Sequence, residues 1–123
     1  IAEAAKVYED AIAHTLYLID LHKEDGILME RLPDELVPTI PMGALIPRGA
    51  RRILAAGRIV SSDKLAHSAL RVQASCMAMG QAVGAASALG AKRGIASRDV
   101  PIEDVRALLR SHGAIVPETT APA

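Results

Sequence analysis

From Ala66 to Ala91 the chain reads AHSALRVQASCMAMGQAVGAASALGA, and between Arg71 and Lys92 no residue carries a charge. This stretch constrains the fold more than any other. It predicts one long buried helix that begins at Ser68 to Leu70. The helix stops at Lys92-Arg93-Gly94, where two cations and a glycine give a C-terminal signal. At about 1.5 Å per residue it runs roughly 35 Å. A helix without a charged face must be surrounded by protein or by lipid. About 20 uncharged residues can span a bilayer. However, Gln73, Ser75, Gln81 and Ser87 are polar, and alanine and glycine outnumber the large aliphatics, so protein is the expected surrounding. Cys76, Gly80, Gly84 and Ala88 recur every four residues and form one stripe of small side chains. Each glycine costs about 1 kcal/mol against alanine in a helix interior. Close packing along the stripe is expected to offset that cost.

The 123 residues suffice for one domain. Half are hydrophobic, yet the chain has no Phe, no Trp and two Tyr, so a self-sufficient core would be thin. Fourteen basic and fourteen acidic residues cancel, which gives no electrostatic case for nucleic acid or an anionic membrane as partner. The single cysteine, Cys76, falls in the middle of the long helix and reads as a small buried hydrophobe, not a disulfide partner. Ile1 opens directly into a helical pattern with no secretory signature. The expectation is a piece of a longer, cytoplasmic chain, with no internal repeat.

In chain order, Ala2 to Ala13 reads as a helix in which Val7, Tyr8, Ala11 and Ile12 share a face. Leu16 to Asp20 reads as a short buried strand. Asp20-x-His22 could ligate a metal, but no Cys or further His completes a site, so a polar loop leaving the strand is the reading. A short strand is expected at Ile27 to Met29, an extended stretch at Pro38 to Met42, and a turn at Ala44 to Gly49. Ile53 to Gly57, running on to Val60, is a further strand candidate, with small residues that suit a close approach. Ser61, Ser62 and Asp63 suit an N-cap for a helical segment at Lys64 to Ser68. The last helix spans Pro101 to His112, with Ile102, Val105, Leu108 and Leu109 on its apolar face and Gly113 after it. Glu118 to Ala123 reads as a disordered tail.

A strand ending in Gly57-Arg58, a short polar segment and a buried helix form a coherent constellation for a ligand site. The helix start offers backbone N–H groups and a partial positive charge. Arg58 and Arg71 add fixed charge, and Ser61, Ser62, Ser68 and Gln73 add neutral hydrogen-bonding groups. No catalytic acid or base is identifiable. Of the four histidines, His67 lies nearest the helix start and is the candidate, although a polar-turn histidine is the plainer reading.

These residues resemble the C-terminal part of the FAD-dependent oxidoreductase family that combines a dinucleotide-binding fold with a substrate domain. The resemblance is carried by Glu9 to Ala13, Leu16 to His22, Ile40-Pro41-Met42, Leu45 to Gly49 and Ile53 to Arg58. Its most specific part is Ser68 to Gln73 followed by Cys76 to Ala86. The order and spacing fit from about Val7 to Gly113. The resemblance implies an α/β, mixed α+β fragment: short strands, one long buried helix and a C-terminal helix, completing the FAD-binding domain of a larger protein. Residues 1–56 would belong to the substrate or cap region and its connection, 57–113 to the FAD-binding domain, and 114–123 to a flexible tail.

The resemblance also implies roles. Gly57 and Arg58 would lie toward the flavin's ribityl and pyrophosphate side. Arg71, Val72 and Gln73 would lie near its pyrimidine edge, where charge builds up on reduction, and Ser61 and Ser68 would be further cofactor-binding residues. Gly80 and Gly84 would let the helix pack beneath the nucleotide-binding sheet. The family's glycine-rich phosphate loop and the acidic residue for the adenosine ribose are not in this sequence. The chain would therefore hold one wall of an FAD site and need the remaining segment to bind FAD tightly. Met42-Gly43 stands where members often have Tyr-Arg, so the substrate-side surface would differ. The implied partners are a small-molecule substrate and the rest of the polypeptide or a second copy of the chain. The rival expectation is a non-enzymatic helical module that docks a partner through the small-residue stripe.

Overall fold

The computed structural model describes residues 7–33 and 37–118, and among these the chain is a mixed α+β fold. Strand β1 (Ala11–His14) pairs antiparallel with β4 (Thr39–Pro41). Strand β2 (Ile19–Lys23) pairs antiparallel with β3 (Gly26–Glu30) through a two-residue turn at Glu24 and Asp25. A 3-10 turn, Met42–Leu45, follows β4, and another, Ser97–Asp99, lies between the last two helices. The helices are α1 (Lys64–Leu70), α2 (Gln73–Arg93) and α3 (Ile102–Ser111).

Helix α2 is the central element, and its inner face carries Ser75, Met79, Ala82, Ala86 and Gly90. Against that face pack β1, the Met42–Leu45 turn and α3. The core they enclose includes Ile12, Ile40, Leu45, Met79, Val105 and Leu109. With so few large side chains, alanines bring the elements close: Ala11, Ala82 and Ala86 are fully buried. The helix ends as its sequence requires, with Lys92 and Arg93 in the last turn and Gly94 in the left-handed region at φ 69°. Helix α3 starts after Pro101, its N-cap, with Glu103 and Asp104 in the first turn.

Several expectations change. The helix expected over residues 2–13 is a strand at Ala11–His14, and residues 2–6 lie outside the described residues. Alanine favours helix locally, but pairing with β4 and burial against α2 outweigh that preference. The register slips between Ala11 and Ala13, a bulge that lets Ala11, Ile12 and Ala13 all be buried. The strand expected at Leu16 to Asp20 begins at Ile19 and runs on to Lys23. The segment expected as a strand from Ile53 to Val60 forms none. It makes one backbone bond to the turn, from Ala55 N to Leu45 O at 2.8 Å, and then turns at Gly57 (φ 96°). No strand among the described residues lies beside it to build a ladder.

The helix or turn expected at Lys64 to Ser68 is α1, and the long helix expected to begin at Ser68 to Leu70 begins at Gln73 instead, the two being parted at Arg71 and Val72. Val72 is extended (ψ 152°) and forms the N-cap of α2. The long helix is also not enclosed all round. Met77 is 75% exposed, and among the described residues nothing lies within 4 Å of a Cβ built on Gly80 or Gly84. The strand expected at residues 27–29, the turn expected at residues 44–49 and the C-terminal helix are present, and the extended stretch expected at residues 38–42 contains β4 at Thr39–Pro41. Of the expected tail, residues 119–123 lie outside the described residues.

Candidate functional site

A break inside a long helical stretch leaves carbonyls without intrahelical partners. Here side chains take them. Thr15 Oγ1 donates to Ala69 O at 3.3 Å and meets Ser75 Oγ at 2.9 Å, and Ser75 Oγ lies 3.4 Å from the same carbonyl. Cys76 Sγ lies 3.7 Å from both Leu70 O and Arg71 O, and Arg58 Nε donates to Arg71 O at 3.1 Å. Cys76 is thus a weak donor that helps stabilise the break. The chain can therefore leave α1 and re-enter α2 without an unpaired carbonyl at Ala69, Leu70 or Arg71.

The break has two consequences. It creates a fresh helix N-terminus at Gln73, and Val72 has no side-chain acceptor to cap it. The 21-residue helix therefore begins, with its positive dipole end, at exposed Gln73 and Ala74, and no side chain caps it. It also frees the Arg71 side chain, whose Nη2 lies 3.4 Å from both Asp20 O and Asp20 Oδ2 at the start of β2.

Around this junction the structure gathers most of the residues singled out from the sequence. Arg58, Arg71, Val72 and Gln73 meet there, with Arg58 and Arg71 linked directly. Gly57 opens the turn that carries Arg58, closed by Val60 N to Gly57 O at 3.1 Å. Ser61 is exposed at the approach to α1. Ser68 is turned inward and 4% exposed. Its hydroxyl donates to Leu65 O at 2.6 Å and accepts from Asp20 N at 3.3 Å. His67 is half-buried one turn before the junction, with Nδ1 3.3 Å from Ser62 Oγ. Asp63 caps α1 by accepting from Ala66 N at 2.8 Å.

Chemically the junction is a donor set: two guanidinium groups, a helix N-terminus and an exposed amide. It suits anionic or electron-rich oxygen and nitrogen acceptors. Among the described residues no group of His, Cys, Asp and Glu is arranged to hold a metal, and no helix is long and apolar enough to cross a membrane.

The residue that sequence reasoning missed is Asp20. It was weighed only with His22 as an Asp-x-His pair, whereas its contact is Arg71, 51 residues away. No local pattern carries such a pairing. Thr15, which takes the Ala69 carbonyl from 54 residues away, is hidden for the same reason.

A family model described as FAD dependent oxidoreductase matches residues 2–109. No curated protein and no solved structure matches the chain.

Proposed function

The chain belongs to the FAD dependent oxidoreductase family, and on that premise we propose that the α1–α2 junction is one wall of the FAD site of an oxidoreductase acting on a small molecule. The α2 N-terminus, Arg71, Val72 and Gln73 face the pyrimidine edge of the flavin. Gly57, Arg58 and Ser61 face its ribityl and pyrophosphate side. The observation that carries this reading is the uncapped α2 N-terminus with Arg71 and Arg58 joined beside it. These donors fit the group, because a flavin's pyrimidine edge presents acceptors and its pyrophosphate is anionic.

When bound, FAD supplies hydride acceptance or donation, and its ring gains negative charge toward the pyrimidine edge on reduction. The residues present can stabilise that charge. The α2 N-terminus contributes oriented N–H groups that need no rearrangement at the moment of reaction. Arg71 contributes a fixed positive charge held by Asp20. Val72 brings no acceptor to compete for those N–H groups, and Gln73 offers an exposed amide. Ser68 acts from behind, holding the start of β2 against α1. His67 is the nearest titratable ring and the candidate for proton transfer.

The test uses the natural full-length protein. Purified without added cofactor, it should show a flavin absorption band. Arg71→Ala should weaken FAD binding roughly tenfold, as expected for losing one hydrogen bond to a charged group, or make the flavin harder to reduce. Unchanged affinity together with an unchanged reduction potential would refute the assignment. The small-residue stripe supports the rival reading, a docking module, only if the protein also fails to take up FAD.

A further inference from the structure

We infer that Asp20 is a positioning residue for Arg71: its carboxylate holds the guanidinium in the orientation that presents charge at the cofactor edge. The inference rests on the proposed flavin-facing role of Arg71.

Three observations lead to it. First, the backbone at Asp20 is fixed independently of its side chain. Its N–H donates to Ser68 Oγ at 3.3 Å, and that hydroxyl is itself buried and bonded to Leu65 O at 2.6 Å. The start of β2 is thereby tied to α1, one turn before the junction.

Second, Arg71 Nη2 reaches two acceptors of this one residue, Asp20 O and Asp20 Oδ2, each at 3.4 Å. The carbonyl and the carboxylate together select one direction for a side chain that would otherwise swing freely. The Asp20 side chain is only 20% exposed and the Arg71 side chain 40%, so water screens the pair incompletely.

Third, the carboxylate has little else to do. Asp20 Oδ1 is sealed from solvent and has no hydrogen-bond partner among the described residues. His22 Nε2 lies 3.9 Å from it, beyond hydrogen-bond reach, on a side chain that is 66% exposed. A carboxylate with one oxygen buried and unpaired carries a desolvation penalty. The ion pair with Arg71 is the interaction that offsets it here. The carboxylate is thus placed chiefly by its contact with Arg71, as expected for a group whose role lies in orienting another.

The experiment measures the flavin reduction potential of the full-length, FAD-loaded protein by equilibration with a reference dye. Asp20→Asn and Asp20→Ala both remove the negative charge, so its direct effect on the flavin is the same in both. Both keep the backbone carbonyl of residue 20 as an acceptor, but only asparagine keeps a side-chain acceptor for Nη2, so only asparagine can select the guanidinium direction through two contacts. The expected result is that Asp20→Ala has the more negative potential of the two, and that the difference disappears when both are placed in an Arg71→Gln background. Equal potentials for the two variants would overturn the inference, as would a difference that persists without Arg71. Arg71→Gln alone tests the underlying reading. If it leaves the potential unchanged, the flavin-facing role of Arg71 fails. If it shifts the potential while the two Asp20 variants agree, only the role of Asp20 fails. Should Asp20→Ala not fold, Asp20→Ser serves in its place, because its hydroxyl is too short to reach Nη2.

Discussion

At Gly90 a methyl group has no room. A Cβ there would stand 3.0 Å from Ile95 O and 3.1 Å from Ser97 Cα, both backbone atoms that cannot rotate away. Gly90→Ala should therefore destabilise the protein by about 1–3 kcal/mol, the usual cost of overpacking, read from the midpoint of a denaturant titration. An unchanged midpoint would mean that the segment after α2 can move aside. Close approach was foreseen from the spacing of Cys76, Gly80, Gly84 and Ala88. Within this chain it occurs at a glycine outside that stripe, where the chain folds back from Gly94 and packs Ser97 against the helix.

At the scale of the element, α2 shows why one amino-acid composition can serve two faces. Its inner face is buried, while Met77 is largely exposed and, among the described residues, nothing lies within 4 Å of a Cβ built on Gly80 or Gly84. If that outer face stays open, Gly80→Ala gains helix propensity without a clash. It should then raise stability by up to about 1 kcal/mol, seen as a higher melting temperature. A lower melting temperature in the full-length protein would show that another surface lies close against the stripe. The same substitution is thus expected to act in opposite directions at Gly80 and Gly90. The break before α2 follows similar logic: Thr15, Ser75, Cys76 and Arg58 engage the freed carbonyls, so the helix can restart with an open N-terminus.

Across the whole molecule, Arg106 joins the last helix to the first strand. It is 1% exposed, its Nε donates to Ala11 O at 2.9 Å, and its Nη atoms bond Glu9 O and Glu103. Arg106→Leu keeps apolar bulk but strips two carbonyls of their donor. A loss of about 3 kcal/mol is expected in thermal or chemical unfolding. Glu103→Ala should cost less than about 1 kcal/mol, because Glu103 is 66% exposed and water replaces it. Equal effects would mean that the ion pair, not the carbonyl contacts, holds Arg106. A spacing signal for this residue exists, since Ile102, Arg106 and Leu109 fall on one helical face. A sequence reader nevertheless assigns an arginine to solvent.

The sequence by itself determined the features whose causes are local. These are the cap at Asp63, the stop at Lys92-Arg93-Gly94, the C-terminal helix after Pro101 and the extended stretch into Pro41. Each depends on residues within a turn or two of one another, so spacing alone exposes it. Only the tertiary structure decided the rest. Ala11 to His14 became a strand because β4 and α2 were there to receive it. Ile53 to Val60 did not, because no neighbouring strand offered a ladder. The long helix starts at Gln73 and not at Ser68 to Leu70, because Thr15, Arg58, Ser75 and Cys76 are placed to take the carbonyls freed before it. The Asp20–Arg71 pair, the part of the candidate site with the sharpest test, exists because folding brings together two residues whose sequence separation hides them from any periodicity.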